Sequence, residues 1–233
     1  MVPAIVVFDL DGTLVDSAPD LVATLNLVLA RIGLPAIPYA EARNMVGGGA
    51  RKLIERGLAA AEGPSLPAAE LDSLVPDFVT HYAAHIADRS RPFAGLEPAL
   101  DRLVESGCRL AICTNKLEWL ARRLLETFSL TQRFVVICGG DTFGLQKPDP
   151  DLLRKTIIQA GAAADPAIMV GDSINDIAMA RAAGVPVIGV EYGYTDTPVA
   201  LLRPDRVIAR LADLPDTVLG LLADSKATPV TVN

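Results

Sequence analysis

The sequence predicts an α/β protein, a doubly wound parallel sheet with a small helical domain inserted after its first strand. Three observations carry this. Short uninterrupted runs rich in Val and Ile recur along the chain, as strands covered on both faces require. Longer amphipathic stretches separate them, the alternation of a parallel sheet with crossover helices. One interval, between residues 10 and 110, breaks the alternation with helical pattern alone.

The first strand covers 5–10. From about residue 19 to 90 the chain reads as helices. Leu21, Leu25, Val28, Leu29 and Ile32 share one face, ended by Gly33. Gly47-Gly48-Gly49 opens a helix over 50–61, and a further helical stretch containing Pro76 runs to about Asp88. Pro92 and Gly95 mark the exit. A helix over 97–104 meets its C-cap at Gly107 and leads into a strand at 110–113. Leu117, Leu120, Leu124 and Phe128 place a helix over 117–128. Strands follow at 134–138, 167–170, 187–190 and 206–208, with a helix over 174–183 ended by Gly184. Residues 225–233 read as a frayed tail. The expected division is an α/β core of residues 1–16 and 91–233 and a helical domain of residues 17–90, each large enough to hold its own core.

Composition narrows the function. Among 233 residues, 51% are hydrophobic and 21% charged, so the chain can bury a core. Lys and Arg number 21 against 28 Asp and Glu, a net charge of −7. Without a basic cluster, neither nucleic acid nor an anionic membrane is an expected partner. No apolar run is long enough to span a bilayer, and the N-terminal run ends at Asp9, so neither anchor nor signal peptide is expected. Cys108, Cys113 and Cys138 read as reduced core thiols. The expectation is a soluble cytoplasmic protein, a monomer or homodimer.

Four loops carry candidate chemistry, and each follows a strand. Asp9-Leu10-Asp11-Gly12-Thr13 sets two carboxylates two residues apart at the end of the first strand. An ordinary Asp-Gly turn would need only the second of them. Thr114-Asn115-Lys116 offers a hydroxyl, an amide and backbone N–H groups at a helix start, which can hold an anion; the plain alternative is Thr114 or Asn115 as a helix cap. Lys147 lies between the strand at 134–138 and a helix, in a loop fixed by Pro148 and Pro150. Asp172 and Asp176 stand one helical turn apart after the strand at 167–170, with capping again the plain alternative. In an open α/β sheet these loops meet at one edge, where ligands bind. Asp9, Asp11, Asp172 and Asp176 would crowd there. Like charges ~4 Å apart cost ~4 kcal/mol at an effective dielectric of ~20, so protons or a cation must accompany them. Oxygen-only ligands suit Mg²⁺. A carboxylate nucleophile, a second carboxyl, Mg²⁺, a lysine and a hydroxyl make a phosphoryl-transfer site.

These motifs, Asp9-x-Asp11-Gly-Thr, Thr114-Asn115, Lys147-Pro148 and Gly171-Asp172-Ser173-x-x-Asp176, resemble in order the four motifs of the haloacid dehalogenase superfamily. The helical insert resembles its cap and the sheet its Rossmann-like core. Val46-Gly47-Gly48-Gly49-Ala50, Thr114-Asn115-Lys116 and Tyr192-Gly193-Tyr194 resemble the bacterial phosphoglycolate phosphatases of that superfamily. The resemblance implies that Asp9 is the nucleophile and forms an aspartyl-phosphate. It implies that Asp11 is the acid–base, and that Thr114, Asn115 and Lys147 hold the phosphoryl oxygens. Mg²⁺ is implied on Asp9, Asp172 and the Asp11 backbone carbonyl, with Asp176 supporting it directly or through water. The dehalogenases and phosphonate hydrolases of the superfamily lack the second carboxylate, so Asp11 points to an alkoxide leaving group.

The expected substrate is a small phosphorylated metabolite, foremost 2-phosphoglycolate, in a closed cap with room for small leaving groups only. Its carboxylate could meet Gly48 and the neighbouring backbone N–H groups, Arg51, Lys52 or Lys116. Two other readings stay open: a phosphoglucomutase-type phosphotransferase, and a non-catalytic domain that binds a phosphorylated ligand. His81 and His85 have zinc-ligand spacing. Tyr82 stands where a metalloprotease has its glutamate, so a solvent-facing helix is expected there.

Overall fold

The structure is a computed structural model and describes residues 4–161 and 166–227. In chain order it contains β1 (Ile5–Phe8), β2 (Val15–Asp16), α1 (Ala18–Arg31), α2 (Tyr39–Ala42), α3 (Gly49–Ala60), α4 (Ala68–Ala84), β3 (Arg91–Pro92), α5 (Leu96–Glu105), β4 (Arg109–Cys113), α6 (Glu118–Thr127), β5 (Val136–Cys138), α7 (Pro150–Gln159), β6 (Ala167–Gly171), α8 (Ile174–Ala183), β7 (Val187–Val190), β8 (Arg206–Ile208) and α9 (Leu214–Ala227). Six strands form a parallel sheet in the order β5-β4-β1-β6-β7-β8.

The apolar runs are explained by two-sided burial. Ile5 and Val7 of β1 pack with Leu152, Leu153 and Ile177 from α7 and α8. Val6 and Phe8 face the opposite layer, with Leu100 and Leu103 of α5 and Leu124 of α6. Neither side chain parity reaches water, so the strand needs no polar alternation. β4 and β6 flank β1 on either side, which makes the end of β1 the topological switch point where α/β sheets bind ligands.

The interval between β1 and β4 is helical except for one feature absent from the sequence expectation. β2 and β3 pair antiparallel, Val15 with Pro92 and Asp16 with Arg91, where the chain leaves the sheet and where it returns. Two-residue strands have no periodicity to read. Asp20, buried in the first turn of α1, accepts hydrogen bonds from Arg89 N (3.1 Å), Ser90 N (2.8 Å) and Ser90 Oγ (2.6 Å), a second tie across the same crossing. The apolar cluster on the α5 face continues into Leu25, Leu53, Ile54 and Phe78 of the helical segment.

Several bounds move. β1 ends at Phe8 rather than Leu10, and β5 begins at Val136 rather than Phe134. The helix containing Pro76 ends at Ala84. α9, not anticipated, buries Leu214, Val218 and Leu221 and carries helix to Ala227, so the expected fraying does not begin at Ser225. The rest of that tail, 228–233, lies outside the described residues. The three cysteines are free and buried. No helix among the described residues is long and apolar enough to cross a membrane. The His81 and His85 rings lie 4.5 Å apart between centroids and tilted by 34°, and His85 pairs with Asp88.

Candidate active site

Four strand ends converge at the C-terminal edge of the sheet. After β1 the chain turns at Gly12, with φ +83°, where an added Cβ would lie 2.5 Å from Asp172 Oδ2; the loop passes the carboxylate only as glycine. Leu10 N donates to Asp9 Oδ1 at 2.7 Å. After β4 come Thr114, Asn115 and Lys116. None of them caps α6, whose N-cap is Leu117. Asn115 Oδ1 accepts from Lys147 N (2.8 Å), and its Nδ2 donates to Gly47 O of the helical segment (3.1 Å). The amide thus ties two loops together, and its second Nδ2–H remains to donate into the cavity that Asn115 lines. Thr114 Oγ1 accepts from Lys116 N at 3.3 Å, which leaves its own proton to donate.

Lys147 Nζ lies 2.8 Å from Asp9 Oδ1 and 2.7 Å from Asp176 Oδ1, fully enclosed. After β6, Ser173 is the N-cap of α8 in a reciprocal capping box with Asp176. Asp176 thus serves as a cap partner through Oδ2 and a partner of Lys147 through Oδ1. Asp172 caps nothing. Its Oδ2 accepts from Tyr194 N (2.7 Å) and its Oδ1 from Thr13 Oγ1 (3.2 Å).

Asp9, Asp172 and Asp176 are all buried and each offers an oxygen within 4.8 Å of the others. The Asp11 carboxylate is not in this group. It faces Lys116 Nζ, at 3.0 and 2.9 Å, and Ser17 Oγ, at 2.5 Å. Lys116 in turn sits 4.6 Å from the centroid of the Tyr82 ring. Nothing in the sequence pointed Ser17 or Tyr82 to this site: Ser17 lies between the first strand and the helical interval, and Tyr82 reads only as a helix residue between two histidines.

Burial dominates the electrostatics of the acidic group. It raises the Asp9 carboxyl to about 6, with Lys147 opposing and Asp176 reinforcing. It raises Asp172 to about 8, helped by Asp176 and Asp9 and opposed by the Tyr194 N–H. Burial alone would lower the Lys147 ammonium, but Asp176 and Asp9 outweigh it and hold Lys147 above the ordinary lysine range. Once all three carboxyls are ionised, they leave two negative charges against the one ammonium, which a divalent cation would balance. A buried, oxygen-only donor set of that charge fits Mg²⁺.

A cavity of roughly 450 Å³ opens over these groups. Its floor includes Asp9, Asp11, Thr114, Lys116 and Lys147. The helical segment covers it with Leu53, Phe78, Val79 and the Gly47–Gly49 turn. Gly48, the N-cap of α3, also lines it. Arg51 and Lys52 lie at its rim, about half exposed and paired with Asp72 (2.6 Å) and Glu55 (2.9 Å).

The family model of haloacid dehalogenase-like hydrolases matches residues 6–190, which includes all four loops. The chain belongs to that family. It is 48% identical over 221 residues to a phosphoglycolate phosphatase of Agrobacterium fabrum, covering 95% of this chain and 94% of that one. It is 44% identical over 224 residues to a phosphoglycolate phosphatase of Caulobacter vibrioides, covering 96% and 94%. The crystal structure of a predicted phosphoglycolate phosphatase from Haemophilus somnus superposes with a TM-score of 0.84 at 30% identity, covering 94% of this chain and 99% of that one. The protein is a phosphatase of the haloacid dehalogenase-like family, a phosphoric monoester hydrolase.

Proposed function

We propose that the protein is a Mg²⁺-dependent phosphatase that hydrolyses 2-phosphoglycolate to glycolate and phosphate through an aspartyl-phosphate on Asp9. The observation that carries this is the division of labour between two carboxylates two residues apart. Asp9 Oδ1 is held by Leu10 N and Lys147, and among the described residues Oδ2 accepts no hydrogen bond. Asp11 is turned to a separate partner set of Lys116 and Ser17.

In this reading Asp9 Oδ2 attacks phosphorus in line, and the bond from phosphorus to the leaving oxygen breaks. Asp11 gives that oxygen a proton, then takes one from the water that cleaves the aspartyl-phosphate and returns Asp9 as a carboxylate. Thr114, Asn115 and Lys147 hold the phosphoryl oxygens, Asn115 through the Nδ2–H that does not reach Gly47 O. Mg²⁺, bound by Asp9, Asp172 and the Asp11 carbonyl with Asp176 in support, would neutralise the phosphoryl charge. Residues 17–90 act as the cap, excluding water from the site.

For the substrate carboxylate the best-placed cation is Lys116. Its third N–H has no hydrogen-bond partner among the described residues, and it lines the cavity. Arg51 and Lys52 are also paired with carboxylates but lie about half exposed at the rim, whereas Lys116 is enclosed beside Asp11.

The test is phosphate release from a panel of phosphorylated acids and sugars, with Mg²⁺ and with EDTA, for wild type and Asp9→Asn. 2-Phosphoglycolate should lead, and both EDTA and the substitution should abolish turnover. A longer acid leading the panel would keep the mechanism and replace the substrate. Turnover that survives Asp9→Asn would remove the mechanism.

A further inference from the structure

The Tyr192-Gly193-Tyr194 loop after β7 takes no part in the chemistry above, yet it touches the acidic group, both chain crossings and the helical segment. Toward the acidic group, Tyr194 N donates to Asp172 Oδ2 at 2.7 Å. Tyr192 Oη donates to Thr13 O at 3.0 Å, and Thr13 Oγ1 donates to Asp172 Oδ1 at 3.2 Å. Both oxygens of Asp172 therefore depend on this loop. Gly193 allows the approach, since a Cβ there would lie 2.1 Å from Asp172 Cβ.

Toward the outgoing crossing, Tyr194 Oη donates to Asp16 Oδ1 (2.6 Å) and accepts from Ala18 N (3.0 Å). Toward the returning crossing, the Tyr192 ring packs on Phe93 at 4.5 Å between centroids. The helical segment itself reaches down through Arg43, between α2 and α3. Its Nη2 donates to both Tyr192 O and Gly193 O at 3.0 Å, and its guanidinium lies 5.1 Å from the centroid of the Tyr194 ring.

We propose that this loop is a strut that makes the position of the Asp172 carboxylate depend on the seating of the helical segment, with Arg43 and Tyr194 as its positioning residues. Arg43 can satisfy two carbonyls and a ring face only when the segment lies against the loop. Lifting it releases the two carbonyls that precede the Tyr194 amide and frees that amide to swing from Asp172. By linkage, a cation held by Asp172 would favour the seated segment to the same extent that seating favours the cation. Only this last consequence rests on the reading of Asp172 as a metal carboxylate.

The primary test needs no metal and no substrate. Amide hydrogen exchange of Tyr194 is measured by NMR in the metal-free full-length protein, for wild type, Arg43→Met, Arg43→Lys and the control Arg102→Gln. Arg102 joins Asp216 on a remote surface. Arg43→Met should speed Tyr194 exchange at least tenfold, with the amides of β1 and β4 unchanged. Arg43→Lys should recover part of the protection, and Arg102→Gln should leave it as in wild type. Tyr194 exchange within twofold of wild type in Arg43→Met overturns the proposal, as does equal acceleration in β1. Tyr194→Phe, which loses only the Asp16 and Ala18 bonds, serves if Arg43→Met does not fold, with exchange of the Thr13 and Tyr194 amides as its readout. The second measurement is calorimetric Mg²⁺ affinity without substrate, expected to weaken at least fivefold in Arg43→Met. If wild type binds no Mg²⁺, the metal reading fails while the exchange result stands on its own.

Discussion

Lys116 Nζ forms a two-oxygen ion pair with Asp11, 3.0 and 2.9 Å from its carboxylate oxygens, both side chains almost entirely enclosed. The acid–base carboxylate of the proposed reaction is thus held by the cation best placed to receive the substrate's own carboxylate. A substrate anion that draws Lys116 toward itself loosens its hold on Asp11, so recognition of the leaving group and release of the acid become one event.

Lys116→Met should therefore lower kcat/KM for 2-phosphoglycolate by about 10–100-fold, the range of one charged hydrogen bond worth ~1.5–3 kcal/mol. A phosphate ester with an uncharged leaving group should lose much less. The check is the ratio of the two specificity constants in wild type and variant. An unchanged ratio would remove Lys116 from substrate recognition.

The raised carboxyls set a pH dependence on stability. Asp172 is raised to about 8 and Asp9 to about 6, so between about pH 4 and 8 the folded metal-free protein holds protons that the unfolded chain has lost. Stability then falls as pH rises through that window, and what these groups contribute is fully present only below about pH 4. Metal-free protein should melt several degrees lower at pH 8 than at pH 5.5, and Mg²⁺ should restore most of the loss at pH 8. Mg²⁺ binding at pH 7 should also release close to one proton, from Asp172. Calorimetry in buffers of different ionisation enthalpy reads this directly. Equal heats in all buffers would mean that Asp172 is already ionised.

Much of this was legible in the sequence because buried parallel strands leave no choice of pattern. β1 reads as a strand since both of its faces are covered, and Asp9 follows it at the only edge where four loops can meet. The side-chain pairings were not legible. Nothing local in Lys116 distinguishes a partner for Asp11, 105 residues away, from a solvated helix charge. Arg51 and Lys52 looked equally suitable as anion ligands, and the fold gives each a nearby carboxylate instead. Ser173 is the N-cap that the pattern offered, and Asp176 both closes its capping box and pairs with Lys147, so capping and membership of the acidic group are not alternatives here. The β2–β3 ribbon was invisible because its order comes from pairing across the crossing and not from residue pattern.

Lys147 is the sole ammonium paired with the buried acidic group among the described residues. Lys147→Met should abolish turnover and cost ~3–5 kcal/mol of stability near pH 7, the usual penalty for stripping a partner from buried charge. The loss should shrink toward pH 5, where protons replace the missing cation. Denaturant unfolding at the two pH values measures it, and an equal loss at both would show that Lys147 contributes packing and not charge.

Asn115 offers the sharpest separation of roles. Its Oδ1 satisfies the buried Lys147 N–H, and its Nδ2 ties the Gly47 carbonyl of the helical segment to the sheet edge. Asn115→Asp keeps the acceptor for Lys147 N but replaces the donor with an oxygen facing the Gly47 carbonyl, a repulsive contact. Asn115→Ala removes both partners and leaves the Lys147 N–H unsatisfied, at ~1–3 kcal/mol. Asn115→Asp should therefore stay folded while the segment lifts. Its KM should rise about tenfold, the effect of losing one hydrogen bond of ~1.4 kcal/mol from the closed form. Asn115→Ala should lose stability as well. Scattering profiles and denaturation midpoints of the two variants distinguish closure from folding. A wild-type KM and an unchanged scattering profile in Asn115→Asp would show that the Gly47 tie does not hold the cavity shut.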